Sequence, residues 1–281
     1  MNRIRASLSS TRLCRGTARI VCAAALALLG LGVPQAMAAL PPSLVRALDK
    51  LRDQRSYSWE VINADPGPIA HTIQTRRGAV TNVLQNVSPH VKGSVDLRGY
   101  TYLRRDWFDG LQLDLLIAPD GTMVTGTPEG WMTNQEILEA QADERIRENR
   151  PTPRSVWLRR ADRPDLRRPD EELLPLLKST ATFDEVSPGT FVAHERVSSS
   201  PGRKLDENDP QSSAEVTITI HVHEGIVRDY EVEIEGSRRA TRVTVPVVEH
   251  RIVILTYVSL TKVDAPSAAF EKLELARPAP R

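Results

Sequence analysis

His221-Val222-His223 is the first place in this chain where residue type and spacing invite chemistry. Two histidines two positions apart on a strand share a face, and paired imidazoles begin a metal site. The hairpin register derived below places His223 in a loop and leaves His221 alone on the strand, and no third ligand stands at a useful spacing. His223-Glu224 and His194-Glu195 each start a His-Glu-x-x-His pattern. Val227 and Ser198 occupy the positions of the second histidine, in strand or loop sequence where that helical motif does not form. Asp229, Glu231, Glu233 and Glu235 alternate along one strand, an arrangement that attracts cations but more often is a solvated sheet face. The expectation is no metal site and no cofactor.

Covalent chemistry has less support still. No serine sits in a Gly-x-Ser-x-Gly frame, and no phosphate loop or Gly-x-Gly-x-x-Gly occurs. Ser198-Ser199-Ser200 reads as a flexible loop. The chain is not expected to be an enzyme, and a hydrolase assembled from scattered acids is the remaining catalytic alternative, because a fold never excludes a grafted site.

Between 145 and 168 the sequence is rich in arginine, interleaved with Glu144, Glu148, Asp162 and Asp165 around Trp157-Leu158. Arginine suits carboxylate and phosphate. One reading is a salt-bridged surface segment. The sharper reading makes Arg154, Arg159, Arg160, Arg167 and Arg168 contacts for anionic lipid head groups or an acidic partner, that is, a peripheral membrane contact.

These residues need a scaffold. Leu44, Leu48 and Leu51 recur at helical spacing after Pro41-Pro42, which predicts an amphipathic helix over about 42–54. The period then becomes two, with Tyr57, Trp59 and Val61 on one face. Strand-like runs follow at 69–76, 79–87, 100–107, 111–118 and 122–127, separated by Gly- and Pro-containing turns, and together predict an antiparallel meander. Thr133-Asn134-Gln135-Glu136 fits a capping box opening a helix over 134–148, which Pro151 and Pro153 stop. Helical turns are expected at 156–160 and again from Asp170, the latter burying Leu173, Leu174, Leu176 and Leu177 with a disturbance at Pro175. Strands resume at 182–186 and 191–197. Residues 198–213 read as a mobile hairpin loop. The clearest strands are 214–222, 226–235, 242–248 and 251–260, and a short helix closes the chain at 268–276.

In the hairpin, Val216, Ile218 and Ile220 share one face, as do Tyr230, Val232 and Ile234. Facing residues must lie on the same side of a sheet. A two-residue turn at Glu224-Gly225 sets Ile220 opposite Asp229 and mixes the faces. A three-residue loop, His223-Glu224-Gly225, sets Ile218 opposite Tyr230, Val216 opposite Val232 and Thr217 opposite Glu231, and is the expected arrangement. One face is then apolar throughout and the other acidic or hydroxylated. The candidate lining of an apolar groove is Tyr57, Trp59, Val61, Leu113, Leu115, Val216, Ile218, Ile220, Tyr230, Val232 and Ile234.

The first 38 residues carry five arginines and no acid before the apolar run Ile20 to Val33, then Ala36-Met37-Ala38. That is the build of a secretory signal peptide cleaved after Ala38, so a periplasmic or secreted location is expected. The formal charge is +1, and −4 without those arginines, which gives no general attraction to nucleic acid. Both cysteines, Cys14 and Cys22, fall within this leader. Residues 39–281 are expected to be a single domain with a helical insertion at about 133–178.

This layout resembles a known family. A helix at Leu44 to Leu51 leads into a sheet at Ser56-Tyr57-Ser58-Trp59-Glu60-Val61. The meander ends at Gly130-Trp131-Met132-Thr133, short helices are inserted, and long antiparallel strands finish the chain. It is similar to the LolA/LppX-like lipoprotein and lipid carriers of the bacterial envelope. The resemblance implies an α+β, mainly antiparallel β fold: a strongly curved open β-barrel, or half-barrel, with short helices packed across its mouth and acyl chains held on the concave face. It implies a hydrophobic-ligand binding protein, a carrier or chaperone for lipid or the acyl part of a lipoprotein, with lipid, an acylated protein or an envelope protein as partner, and a monomer. The alternative is a non-catalytic envelope structural or protein-interaction module whose helices fill their own groove.

Overall fold

Pro42 occupies the first turn of a helix, where its missing N–H costs nothing, and Leu44, Ala47, Leu48 and Leu51 then make one buried stripe. This is α1 (Pro42–Asp53), the element expected over 42–54. The structure, a computed structural model, describes residues 40–64, 68–75, 78–85, 89–147, 152–161, 168–175, 182–198, 213–240 and 243–277. The expected leader over 1–38, Leu176, Leu177 and residues 199–212 of the expected hairpin loop lie outside the described residues.

The strands are β1 (Tyr57–Asn63), β2 (Pro68–Thr75), β3 (Gly78–Gln85), β4 (His90–Val95), β5 (Thr101–Asp106), β6 (Gln112–Ile117), β7 (Met123–Thr127), β8 (Gly130–Thr133), β9 (Asp184–Ser187), β10 (Thr190–Ser198), β11 (Ser213–His223), β12 (Ile226–Ala240) and β13 (Val243–Thr256). Eleven of them form one open antiparallel sheet in the order β8-β7-β6-β5-β4-β1-β13-β12-β11-β10-β9. The fold is therefore α+β with a dominant antiparallel sheet.

Two strand expectations need correction. Where runs at 69–76 and 79–87 were expected in the meander, β2 and β3 pair with each other as a separate two-stranded sheet among the described residues. The strand that takes their place beside β1 is β4, which the periodicity did not reveal. Val91 and Val95 point inward at 1% and 3% exposure, but Gly93 between them has no side chain to carry the alternation. In place of the two runs expected at 242–248 and 251–260 there is one continuous strand, β13, paired with β12 from Val243 to Ile254 and with β1 from Arg251 to Thr256.

The hairpin register is also different. Glu224 (φ 53) and Gly225 (φ 73) form a two-residue turn with both central residues left-handed. His223 faces Ile226, so it ends the strand rather than sitting in a loop. The register then shifts between His221 and Val222, leaving Arg228 as an extra residue. Beyond this bulge Ile220 faces Tyr230, Ile218 faces Val232, Val216 faces Ile234 and Thr217 faces Glu233. One bulged residue thus restores the face alignment that a longer loop was expected to supply.

Four further helices are found among the described residues: α2 (Asn134–Arg147), α3 (Pro153–Ala161), α4 (Pro169–Leu173) and α5 (Ser267–Ala276). The capping box at the start of α2 is present. Glu136 N–H donates to Thr133 Oγ1 (3.2 Å) and Thr133 N–H donates to Glu136 Oε2 (2.7 Å). Pro153 opens α3 rather than merely stopping α2.

The helices cover the sheet unevenly. At the β5–β8 end, Leu113 packs with Ile137, Trp157 and Leu158 of α2 and α3, while Tyr102, Leu116 and Val124 pack with Ala269 and Leu273 of α5. Both faces are used there. At the β10–β13 end, one face packs with α1 and α4. The other carries Glu215, Thr217, Asp229, Glu231, Glu233 and Glu235, all partly or fully exposed. An antiparallel sheet tolerates water on one side, and the two-period pattern sorts apolar from polar residues accordingly.

Candidate functional site

Along β1, β11, β12 and β13, alternation turns Tyr57, Trp59, Val216, Ile218, Ile220, Tyr230, Val232, Ile234, Val253 and Leu255 to one side, each buried and all in one cluster. Val61 packs against that cluster and is partly buried, and Leu115 joins it from β6. Ten of the eleven predicted lining residues are thus together. Leu113, two residues before Leu115, belongs instead to the cluster under α2 and α3. The apolar face is seated against α1, whose Leu44, Leu48 and Leu51 are fully buried on it, and against Leu173 of α4.

The attachment of α4 is chemically different from that of α1. Two phenols rising from the apolar face donate to two of its acids. Tyr57 Oη donates to Asp170 Oδ1 (2.5 Å) and Tyr230 Oη to Glu172 Oε2 (2.5 Å). Arg251 of β13 grips Glu172 with both terminal nitrogens, Nη1 at 3.2 Å from Oε2 and Nη2 on Oε1. Arg168, the residue before α4, pairs within the same segment with Asp170 (3.0 Å) and Glu171 (3.2 Å). Glu172 is 5% exposed, so its charge is carried by these donors rather than by water. Burial first, then the adjacent carboxylates Asp170 and Glu172, push the Tyr57 and Tyr230 phenols well above their ordinary range. Both therefore stay protonated and remain donors.

This arrangement was outside the reach of sequence reasoning. Arg251, Glu172 and Tyr230 lie 79 and 58 positions apart in the pairs they form. The only available signal was two acids, Asp170 and Glu172, at the start of a segment otherwise read as leucine-rich.

No protein-family model matches the chain, and no curated protein matches it either.

Among the described residues of the arginine-rich segment, Arg154 and Arg160 are paired with acids from other elements. Arg154 makes a two-pronged contact with Glu129, Nε at 2.6 Å and Nη2 at 2.8 Å, and reaches Glu144 (3.3 Å). That contact holds the Glu129 carboxyl below the usual range. Arg160 pairs with Asp109 (2.7 Å) and lies over the Trp107 ring. Arg159 is exposed, with Nε donating to the Ser155 carbonyl (3.1 Å). Arg167 lies outside the described residues.

On the open face, the histidines expected to carry no metal are separated. His221 Nδ1 contacts Asp229 (2.5 Å), His194 Nδ1 contacts Thr217 Oγ1 (3.0 Å), and His223 is exposed at the strand end. A different group comes together: Glu231, Glu233 and His250. The acidic stripe held two of these in plain view, but His250 joins them only through the β12–β13 register.

Proposed function

We propose that the protein is an exported binder of apolar ligands, of the kind that the LolA/LppX-like layout implies, and that the face lined by Trp59, Ile218, Tyr230 and their neighbours receives an acyl chain when α4 is displaced. In this reading the sheet curves about the ligand and α1 and α4 lie across its opening. The observation that carries it is the attachment of α4. A segment of five residues lies on an apolar face, and it is held there by Tyr57, Tyr230 and Arg251 rather than by a broad apolar surface of its own. Ionic and hydrogen-bonded contacts re-form readily with water when they part, whereas the face beneath gains about 0.8 kcal/mol for each methylene it takes from water. No reaction is required, only burial and release.

The test is titration with a fluorescent fatty acid. Saturable binding that becomes faster in Arg251→Met, with α4 less firmly held, supports the reading. No binding to either protein rejects it.

The second reading, an interaction module with a self-filled core, is favoured by α1. Its Leu44, Ala47, Leu48 and Leu51 occupy the same apolar face at 0% exposure. Under it the fatty acid finds no room, and the partner is an envelope protein meeting the exterior.

A further inference from the structure

We propose that Glu231, Glu233 and His250 form a binding site for one divalent transition-metal ion on the open face of the sheet, independent of the apolar face. The two glutamates stand two residues apart on β12 and so project from the same side. Antiparallel pairing sets His250 of β13 directly opposite Glu233. His250 Nε2 contacts Glu231 Oε1 and lies 3.7 Å from Glu233 Oε1. All three candidate ligand atoms fall within 4.8 Å of one another. Metal–ligand bonds of about 2.0–2.2 Å let one ion reach donors about 4 Å apart, so small side-chain rotations complete the contact.

The imidazole separates this group from an ordinary acidic stripe. Asp229 lies on the same face but is taken by His221 (2.5 Å). At 231 and 233 a nitrogen donor from a second strand converges on two carboxylates. One nitrogen with two oxygens is a donor set for Zn²⁺, Mn²⁺ or their neighbours, and a poor one for Ca²⁺, which takes oxygen ligands throughout. The backbone beneath is fixed, because the ladder runs without a register shift from Asp229 opposite Ile254 to Ala240 opposite Val243. The side chains are 28%, 52% and 28% exposed for Glu231, Glu233 and His250, so an ion enters from solution and keeps water on its remaining positions. An ion held there ties β12 to β13 and stabilises the folded state by mass action.

Calorimetric titration of the untagged protein with Zn²⁺ tests the proposal. The expected result is one Zn²⁺ per chain, with affinity at least about tenfold weaker in His250→Gln and in Glu233→Gln, unchanged in His221→Gln, and a thermal midpoint that rises with Zn²⁺ only where binding survives. Circular dichroism establishes that each variant is folded. The proposal is overturned by no saturable Zn²⁺ binding, by Ca²⁺ binding as tightly as Zn²⁺, or by His221→Gln weakening Zn²⁺ as much as His250→Gln does.

Discussion

The indole of Trp59 packs against Gly93, its cross-strand partner on β4. A Cβ placed at 93 would fall 2.2 Å from Cε2 and 2.3 Å from Cζ2 of that ring. The ring in turn meets Tyr57 at 5.5 Å between centroids. A large aromatic on one strand fills the space that a glycine leaves on the next, which is how β4 holds its place at the centre of the sheet.

Gly93→Ala is therefore expected to displace Trp59 and cost about 1–3 kcal/mol, the range for overpacking a filled core. Gly126→Ala is the control. Trp131 covers Gly126 in the same way, but the added Cβ would sit 3.1 Å from the ring, and Trp131 is only partly buried. Urea unfolding followed by circular dichroism should show the first substitution clearly more damaging than the second, and equal effects would contradict the account of β4.

The buried phenols predict an alkaline limit. A phenol raised in the folded state contributes stability that is fully present below its ordinary value of 10.0 and is lost as pH rises toward the folded value. Phenolate absorbance should therefore leave Tyr57 and Tyr230 unionised through the ordinary phenol range. Their ionisation should appear together with loss of the far-ultraviolet circular dichroism signal. Simple reversible titration of all five tyrosines near the ordinary value would refute the buried placement.

Glu172 and Arg251 predict an asymmetry between breaking and replacing a pair. Arg251→Met leaves the Glu172 carboxylate buried with less compensation and should cost about 3 kcal/mol, the lower end for a buried pair because Arg251 keeps some contact with water. Tyr230→Phe removes one hydrogen bond and should cost about 1 kcal/mol. Adding Glu172→Leu to Arg251→Met should recover much of the first loss. A double variant no more stable than Arg251→Met would show that the pair does not hold α4 in this way.

Thr133→Ala should cost about 1 kcal/mol by removing the cap of α2. The Lys272 ammonium (2.6 Å), then the Thr133 N–H, hold the Glu136 carboxyl below its ordinary value of 4.5. That contribution is present above 4.5 and is lost as pH falls through the lowered value. Thermal midpoints of Glu136→Gln and the parent protein should differ at neutral pH and converge in acid, whereas the Thr133→Ala difference should persist because the bond from Glu136 N–H to Thr133 Oγ1 does not titrate. A Glu136→Gln difference that is constant with pH would contradict the role given to the Glu136 carboxylate.

Much of this architecture was legible because it is local. The leucine spacing of α1, the capping box of α2 and the alternation on β11 and β12 each express a period within one element, and each element appeared within a few residues of its expected bounds. What was hidden depends on partners far along the chain. β4 reads poorly because Gly93 contributes nothing by itself, and only Trp59, more than thirty residues earlier, makes it a strand position. The bulge at Arg228 was missed because loop length and a bulge solve the same face-matching problem, and parity alone does not choose between them. The attachment of α4 and the Glu231–Glu233–His250 group are tertiary convergences. The two-residue spacing of Glu231 and Glu233 shows in the sequence, but Tyr230, Glu172, Arg251 and His250 meet their partners only through the fold.

The most direct test of the proposed function is the content of the protein itself. Protein purified from its native cells without detergent, extracted with organic solvent and analysed by mass spectrometry, should release close to one acylated molecule per chain. An extract free of lipid, from protein that also takes up no fluorescent fatty acid, would contradict the carrier reading and leave the apolar face as a core filled by α1.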